Sequence, residues 1–228
     1  MPDVFSQLTE EEISQRLAQA RQQMTHPNPA FPNQVRFPSD YGVPAGLLPG
    51  TPRPAAVLLP LLRKDQAWHL LYTRRNATLA EHSGQVAFPG GRSDPDDPSL
   101  EATALREAHE EIGLDPGDVH ILGRLNPFTT ITHYHVTPVV GSIPWPYPLH
   151  LAEIEVSRIF TIPLAWLADP DNFDIQQRKL PSPYGAVDVI YFHPYDGEIL
   201  WGASARFTLA LLQDLGLSSA STSHQTYS

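Results

Sequence analysis

The stretch Ala55 to Leu62 is apolar at every position, and it constrains the fold more than any other segment. It is far too short for the roughly 20 residues that span a bilayer. It is also unbroken rather than alternating, which is the pattern of a strand buried inside a layered domain. A second strand is predicted at Trp68 to Thr73, with Lys64, Asp65 and Gln66 as the turn between the two.

Short elements follow on both sides of this pair. Residues 8 to 24 form an amphipathic helix in which Ile13, Leu17 and Ala20 recur at helical spacing. Thr9 caps it, and Glu12 completes a capping box. From Thr25 to Pro54 the chain is polar and Pro-rich, an arm lying on the main domain. Gln85 to Phe88 is short and extended. Ser99 to Ile112 is a helix, capped by Asp97, with Pro98 suited to its first turn and Gly113 as its stop. Further strands are expected at Val119 to Leu125, His135 to Ile143 and Arg158 to Ile162, then a short helix near Pro163 to Leu167. Phe173 to Gln177 and Val187 to Phe192 read as a late hairpin. Ala203 to Leu215 is a final amphipathic helix closed by Gly216. This order predicts an α/β sandwich with a mixed sheet. It divides the chain into an N-terminal helix and arm (1–54), a main domain (55–217) and a flexible tail (218–228).

Charge and composition narrow the function. The 228 residues carry 25 acidic and 15 basic side chains, a net charge of -10, which disfavours a general nucleic-acid binder. A local basic patch is still enough for a small phosphorylated ligand. The absence of cysteine excludes disulfides, thiolate catalysis and Cys-ligated metal sites. No secretory signal or membrane span is evident, so a soluble cytoplasmic protein is expected.

The segment Arg106-Glu107-Ala108-His109-Glu110-Glu111-Ile112-Gly113-Leu114 carries the chemistry. Glu107, Glu110 and Glu111 stand at i, i+3 and i+4, within one turn of each other. Like charges at that spacing cost on the order of 0.2–0.5 kcal/mol per pair. The negative end of the helix dipole adds to this. A hard divalent cation relieves the repulsion, and magnesium favours such oxygens. Leu105, Ala108 and Ile112 are the expected docking stripe. Upstream, Gly90-Gly91 forms a bend that lets backbone approach a metal or phosphate. Taken alone, an acidic helix face is more often solvated surface; the glycine bend before it makes the constellation specific.

These residues resemble the Nudix box. Arg106-Glu107, Ala108, Glu110-Glu111, Gly113 and Leu114 match its second half. The first half departs: Pro98 stands at the early glutamate and Arg92 at the leading glycine. That glutamate is the structural partner of the box arginine, and Asp94, Asp97 or Glu101 are candidates to replace it. Thr73, Arg75, Leu79, His82 and Gly84 to Gly91 resemble the coenzyme A diphosphatase branch, with departures at Asn76 and Ala80. His135 to Gly141 and Trp201 to Arg206 are also similar to that branch.

The resemblance implies a Nudix-type α/β/α sandwich with N- and C-terminal helices. It implies magnesium, with manganese as an alternative, on Glu107, Glu110 and Glu111, with a carbonyl of Gly90 or Gly91 as a further ligand. Glu110, Glu153 or Glu155 are candidate bases, and Glu155 is favoured because a glutamate before valine recurs in that branch. Arg75 and Arg92 are candidates for the substrate's phosphates. Tyr184, Tyr191 and Trp201 are candidates to wall the pocket, although ordinary core packing explains most such aromatics. His82 and His109 are read as packing or surface groups. His133 and His135 lack a third ligand. The implied substrate is coenzyme A or a derivative; another nucleoside diphosphate derivative such as ADP-ribose is the near alternative, and a non-catalytic ligand sensor the remote one. No nucleic acid or membrane partner is expected, and a homodimer is compatible with the sequence.

Overall fold

The computed structural model describes residues 4–25, 50–77, 84–130, 132–179 and 186–217. Most of the Pro-rich arm, Leu79, Ala80, His82, Tyr184 and the tail lie outside these residues. Two helices come first, α1 (Val4–Gln7) and α2 (Glu10–Thr25). The capping box stands as expected: the Thr9 amide donates to Glu12 Oε2 at 2.9 Å, and the Glu12 amide donates to Thr9 Oγ1 at 3.2 Å.

The main domain runs β1 (Arg53–Lys64), β2 (Ala67–Arg75), β3 (Val86–Ala87), β4 (Gly90–Arg92), α3 (Leu100–Ile112), β5 (His120–Arg124), β6 (Phe128–Thr129), β7 (Tyr134–Ser142), β8 (Val156–Pro163) and α4 (Leu164–Leu167). It continues with β9 (Phe173–Lys179), β10 (Ala186–Phe192) and α5 (Gly202–Asp214). β4 and β6 had no counterpart in the sequence reading, because two or three residues carry no periodicity.

The sheet path is β3-β2-β1-β7-β5, with β4 beside β1, β6 beside β7 and β8 beside β2. Only β1 and β7 pair in parallel among these strands, so the sheet is mixed. Asp65 and Gln66, both with positive φ, make a two-residue turn that matches strand twist between β1 and β2. β9 and β10 form a separate two-stranded sheet.

The apolar run of β1 is explained by two cores. Ala55, Leu59 and Leu61 enter the larger one, with residues of α2, α5 and the late hairpin. Ala56, Leu58 and Leu62 enter the other, with Ala104, Ala108 and Ile112 of α3. Side chains alternate across a strand, so burial on both faces leaves no polar position. Each buried leucine contributes roughly 1.5–3 kcal/mol of apolar transfer. Helices thus cover both faces, and the expected α/β/α sandwich is what forms.

One expectation for α3 needs correction and another needs extension. Its N-cap is Ser99, whose hydroxyl accepts from the Ala102 amide, so the helix starts at Leu100 and Pro98 precedes the cap. Asp97 is used elsewhere, as shown below. The docking stripe also contains Ala104: Ala104, Ala108 and Ile112 are fully buried, while Leu105 is half-buried and packs against the edge of the same cluster.

Candidate active site

The site is built where α3 faces the start of β4. Gly90 and Gly91 allow the approach for different reasons. A side chain at 90 would meet the Ala56 carbonyl oxygen at 2.4 Å and Val57 Cα at 2.5 Å, both backbone of β1. A side chain at 91 would meet Glu107 Oε2 at 2.5 Å. Gly90 and Gly91, expected as a turn, are instead the first residues of β4, paired with Val57 and Ala56, so this stretch is pressed against β1 on one side and against a glutamate carboxylate on the other.

Helix geometry divides the three glutamates. Glu111 sits on the buried side next to Ile112, with 5% of its side chain exposed. Glu107, one turn earlier, is 17% exposed. Glu110 turns outward at 56%. Glu111 Oε2 accepts from the Gly90 amide at 3.4 Å, and Arg75 Nη1 stands 3.8 Å from Oε1. Burial pushes the Glu111 carboxyl up to about 8 against the pull of Arg75, and nearby Glu107 and Glu155 push the same way. Burial likewise raises Glu107, where Arg106 opposes the shift and Glu110 and Glu155 add to it.

Arg106 resolves the departure in the first half of the box. Its Nε and Nη2 donate to Asp97 Oδ1 and Oδ2, both at 3.0 Å. Asp97 therefore takes the part assigned to the early glutamate, and Pro98 does not. Counted forward from Gly91 rather than back from Arg106, five residues lead to Asp97, and the arginine comes one residue late. Thr103 Oγ1 and the Asp94 amide also donate to Asp97, at 2.8 and 2.9 Å. Arg106 holds this carboxyl well below the usual carboxylate range. Arg106 Nη1 reaches Glu107 at 3.0 Å and Glu110 at 3.1 Å, and Nη2 donates to the Arg92 carbonyl at 3.1 Å. One guanidinium thus ties the loop after the glycines to the acidic helix.

Glu155 lies on the exposed loop before β8. That loop is fastened to the end of α3: the His150 amide donates to the Ile112 carbonyl at 2.9 Å, and the Ala152 amide donates to Glu111 O at 3.0 Å. Glu153, on the same loop, is exposed.

A cleft of about 700 Å³ opens beside the start of β4, lined there by Arg75, Gly90, Gly91 and Arg92. That size lies within the roughly 300–1,000 Å³ of small-molecule sites. Phe128, Tyr134, Val136 and Trp201 are among its apolar lining, and Arg178 and Arg206 also reach it. Tyr191 stacks on Trp201 at 5.6 Å. Sequence reasoning offered Trp201 among the aromatics of the pocket wall, and Trp201 does line the cleft; Tyr191 is not in the lining itself, and Arg206 was singled out only as a point of resemblance. It missed Phe128, Tyr134 and Arg178, because lone residues on separate strands converge only once the chain is folded. Arg206 stacks over Phe128 at 4.1 Å, which fixes its position in the lining.

Among the described residues, no histidine joins this cluster. His109 Nδ1 lies 3.3 Å from the Leu114 carbonyl, beyond the helix. His133 sits at positive φ before β7, and His135 Nδ1 lies 3.0 Å from Thr129 Oγ1. Among the described residues, no three His, Asp or Glu side chains already converge on one cation-sized point. Glu107 and Glu110 are instead drawn to Arg106. The donor set nonetheless fits a divalent ion. Among the described residues, the ionic contact of the buried Glu111 is a distant arginine at 3.8 Å, and a buried carboxylate without full compensation is costly.

A buried and a part-buried glutamate facing two glycines at the head of β4, beside a cleft of small-molecule size, fit a hydrolase of phosphoanhydrides. The NUDIX domain model matches residues 51–181, more than half the chain, and the chain belongs to the Nudix family. The uncharacterized Nudix hydrolases NudL of Yersinia pestis (strain Pestoides F) and Yersinia pseudotuberculosis (serotype O:1b) are each 40% identical to it over 170 residues. Those matches cover 73% of this chain and 82% of theirs. Among solved structures, a MutT/nudix family protein from Enterococcus faecalis matches at TM-score 0.46 and 16% identity, covering 73% of this chain and 68% of that one. A C. elegans Ap4A hydrolase binary complex matches at TM-score 0.42 and 19% identity, over 48% and 80%. The chain is a Nudix hydrolase, of the class that acts on nucleoside diphosphate derivatives and generally uses divalent cations. No helix among the described residues is long and apolar enough to cross a membrane.

Proposed function

We propose that the chain hydrolyses the diphosphate linkage of coenzyme A, or of an acylated or oxidised form, to 3′,5′-ADP and 4′-phosphopantetheine. The observation that carries this reading is the make-up of the cleft. Arg75, Arg92, Gly90 and Gly91 border the acidic helix, while Phe128, Val136, Tyr134 and Trp201 supply apolar wall beyond them. A diphosphate that joins a nucleotide to a long uncharged arm has a matching division of charge. The likeness of Thr73, Arg75 and Gly84 to Gly91 to the coenzyme A branch supports the same substrate.

In this reading Glu107 and Glu111 hold magnesium, with Glu110 and a carbonyl of Gly90 or Gly91 as further oxygen donors; manganese is the alternative ion. Such an ion, when bound, screens phosphate charge and lowers the pKa of water. Arg75 and Arg92 orient the two phosphates. Glu155 takes the proton as the water oxygen bonds to phosphorus and the bridging P–O bond breaks, leaving two phosphomonoesters. Glu110 is the other candidate for that proton.

A substrate panel with magnesium tests the proposal. Coenzyme A is expected to exceed ADP-ribose at least about tenfold in kcat/KM, the equivalent of 1.4 kcal/mol. Parity with ADP-ribose would move the assignment to that substrate class.

A further inference from the structure

The loop that carries Glu155 has no helix or strand of its own, yet its glutamate must stay beside Glu107 and Glu111 if it is to serve them. Most of the bonds that hold this loop are backbone to backbone. The Glu155 and Val156 amides donate to the Ala152 carbonyl at 2.8 and 2.9 Å, and the Ala152 amide donates to Glu111 O. These bonds fasten the loop to α3 and to itself. After Glu155 the chain enters β8, where Val156 pairs with Arg75; on the loop itself a further tie to the sheet comes from Asn76, the residue after β2. Its backbone amide donates to the Glu155 carbonyl at 2.7 Å, and its Nδ2 donates to the Glu153 carbonyl at 2.7 Å. Asn76 thus grips the loop on both sides of Ile154, which is 82% exposed; the nearest apolar anchor is Val156, buried at the start of β8.

We infer that Asn76 is a positioning residue for the catalytic loop, acting through two carbonyls to hold Glu155 over the acidic helix. Asn76 follows Arg75, so the strand end that carries the proposed phosphate-binding arginine also grips the loop of Glu155. The side chain matters as well as the backbone. A shorter side chain such as serine or alanine lacks the amide that donates to the Glu153 carbonyl. The long amide of Asn76 lets this chain clamp the loop from the sheet side. The inference rests on the proposed role of Glu155.

The experiment is a double-mutant cycle with magnesium and coenzyme A, using Asn76→Asp, Asn76→Ser, Glu155→Gln and the doubles. Asn76→Asp keeps the shape but replaces the donor with an acceptor facing a carbonyl. It is expected to lower kcat about five- to tenfold with KM within twofold and an unchanged melting temperature. Asn76→Ser is expected to fall between Asp and wild type. In the Glu155→Gln background, neither substitution at 76 should cost anything more, because they act through Glu155. Wild-type turnover in Asn76→Asp overturns the inference while leaving Glu155 in its role. Losses that multiply with Glu155→Gln also overturn it, since Asn76 would then act elsewhere. If Glu155→Gln itself turns over like wild type, the reading of Glu155 fails first and the inference falls with it.

Discussion

Replacing Gly91 with alanine tests the geometry of the site with one methyl group. The added carbon would lie 2.5 Å from Glu107 Oε2, 2.6 Å from Cδ and 2.7 Å from Oε1. Ordinary contact requires the carboxylate to retreat by about 1 Å. Glu107 is the end of a flexible side chain, so the fold can absorb that shift. Its melting temperature should therefore stay within about 2 °C of wild type, as for other small surface changes. Catalysis should not be spared, because a 1 Å misplacement in a site can cost on the order of 100-fold. A fall of about 10- to 100-fold in kcat/KM is expected, with a higher magnesium concentration for half-maximal rate. Gly90→Ala serves as the contrast. There the methyl would meet backbone of β1 at 2.4 and 2.5 Å, at a φ of +154°. Backbone cannot swing aside, so that variant should lose at least about 2 kcal/mol of stability and roughly 4–8 °C in melting temperature. Steady-state kinetics across a magnesium titration, with thermal melts of both variants, measure every term. Wild-type kcat/KM and magnesium dependence in Gly91→Ala would refute the packing of Glu107 against Gly91.

Three further outcomes follow from the carboxylates. Glu111→Gln should lose most turnover. In chelator it should also be more stable than wild type above pH 8, because the folded carboxyl is raised to about 8 and the charged form is disfavoured there; the gain, on the order of 2–4 kcal/mol, should vanish below about pH 4.5. Asp97→Asn should cost about 2 kcal/mol by denaturant melt and lower kcat by loosening Arg106. Since the folded Asp97 is held below the usual range, that deficit is complete above about pH 4 and should shrink as pH falls further. Asp214, at the end of α5, is raised to about 6 by burial alone. Its contribution is best below about pH 4 and worsens as pH rises through 6, so Asp214→Asn should gain about 2 kcal/mol at pH 8 and nothing at pH 4. Equal melts at both pH values would remove that account of Asp214.

The elements that sequence reading placed well carry strong local signals. β1 is an unbroken apolar run, α2 begins with a capping box, and α3 ends at a left-handed glycine. Asp97 shows why the rest was harder. An aspartate before a proline has the look of a cap. Its actual use depends on Arg106, a turn and a half into the helix, folding back across the loop. Nothing in a local window distinguishes the two uses. The cleft was less legible still. Phe128, Tyr134, Trp201 and Arg178 come from β6, β7, the start of α5 and β9, and only the packed sheets bring them together. Sequence spacing placed all three glutamates on one face, whereas 100° per residue sends Glu110 outward when Ile112 points in.

That division has an energetic logic. Glu111 is buried on the same side of α3 as the residues that dock the helix, where an apolar side chain would stabilise the fold more. A carboxylate is tolerated there because Arg75 and the Gly90 amide compensate part of its charge. The remainder is strain that a bound cation can relieve, so ion affinity and folding stability draw on the same residue. Arg106 imposes a second restraint: it ties up one oxygen each of Glu107 and Glu110, so an ion held as proposed would compete with a guanidinium that Asp97 holds in place. Asp97 therefore works in two directions. Through Arg106 it fixes the loop that carries Arg92, and it shares that guanidinium with Glu107 and Glu110. Weakening Asp97 should for that reason raise the magnesium requirement as well as lower stability. A stability loss with unchanged magnesium affinity would mean that Arg106 does not compete with the ion at all.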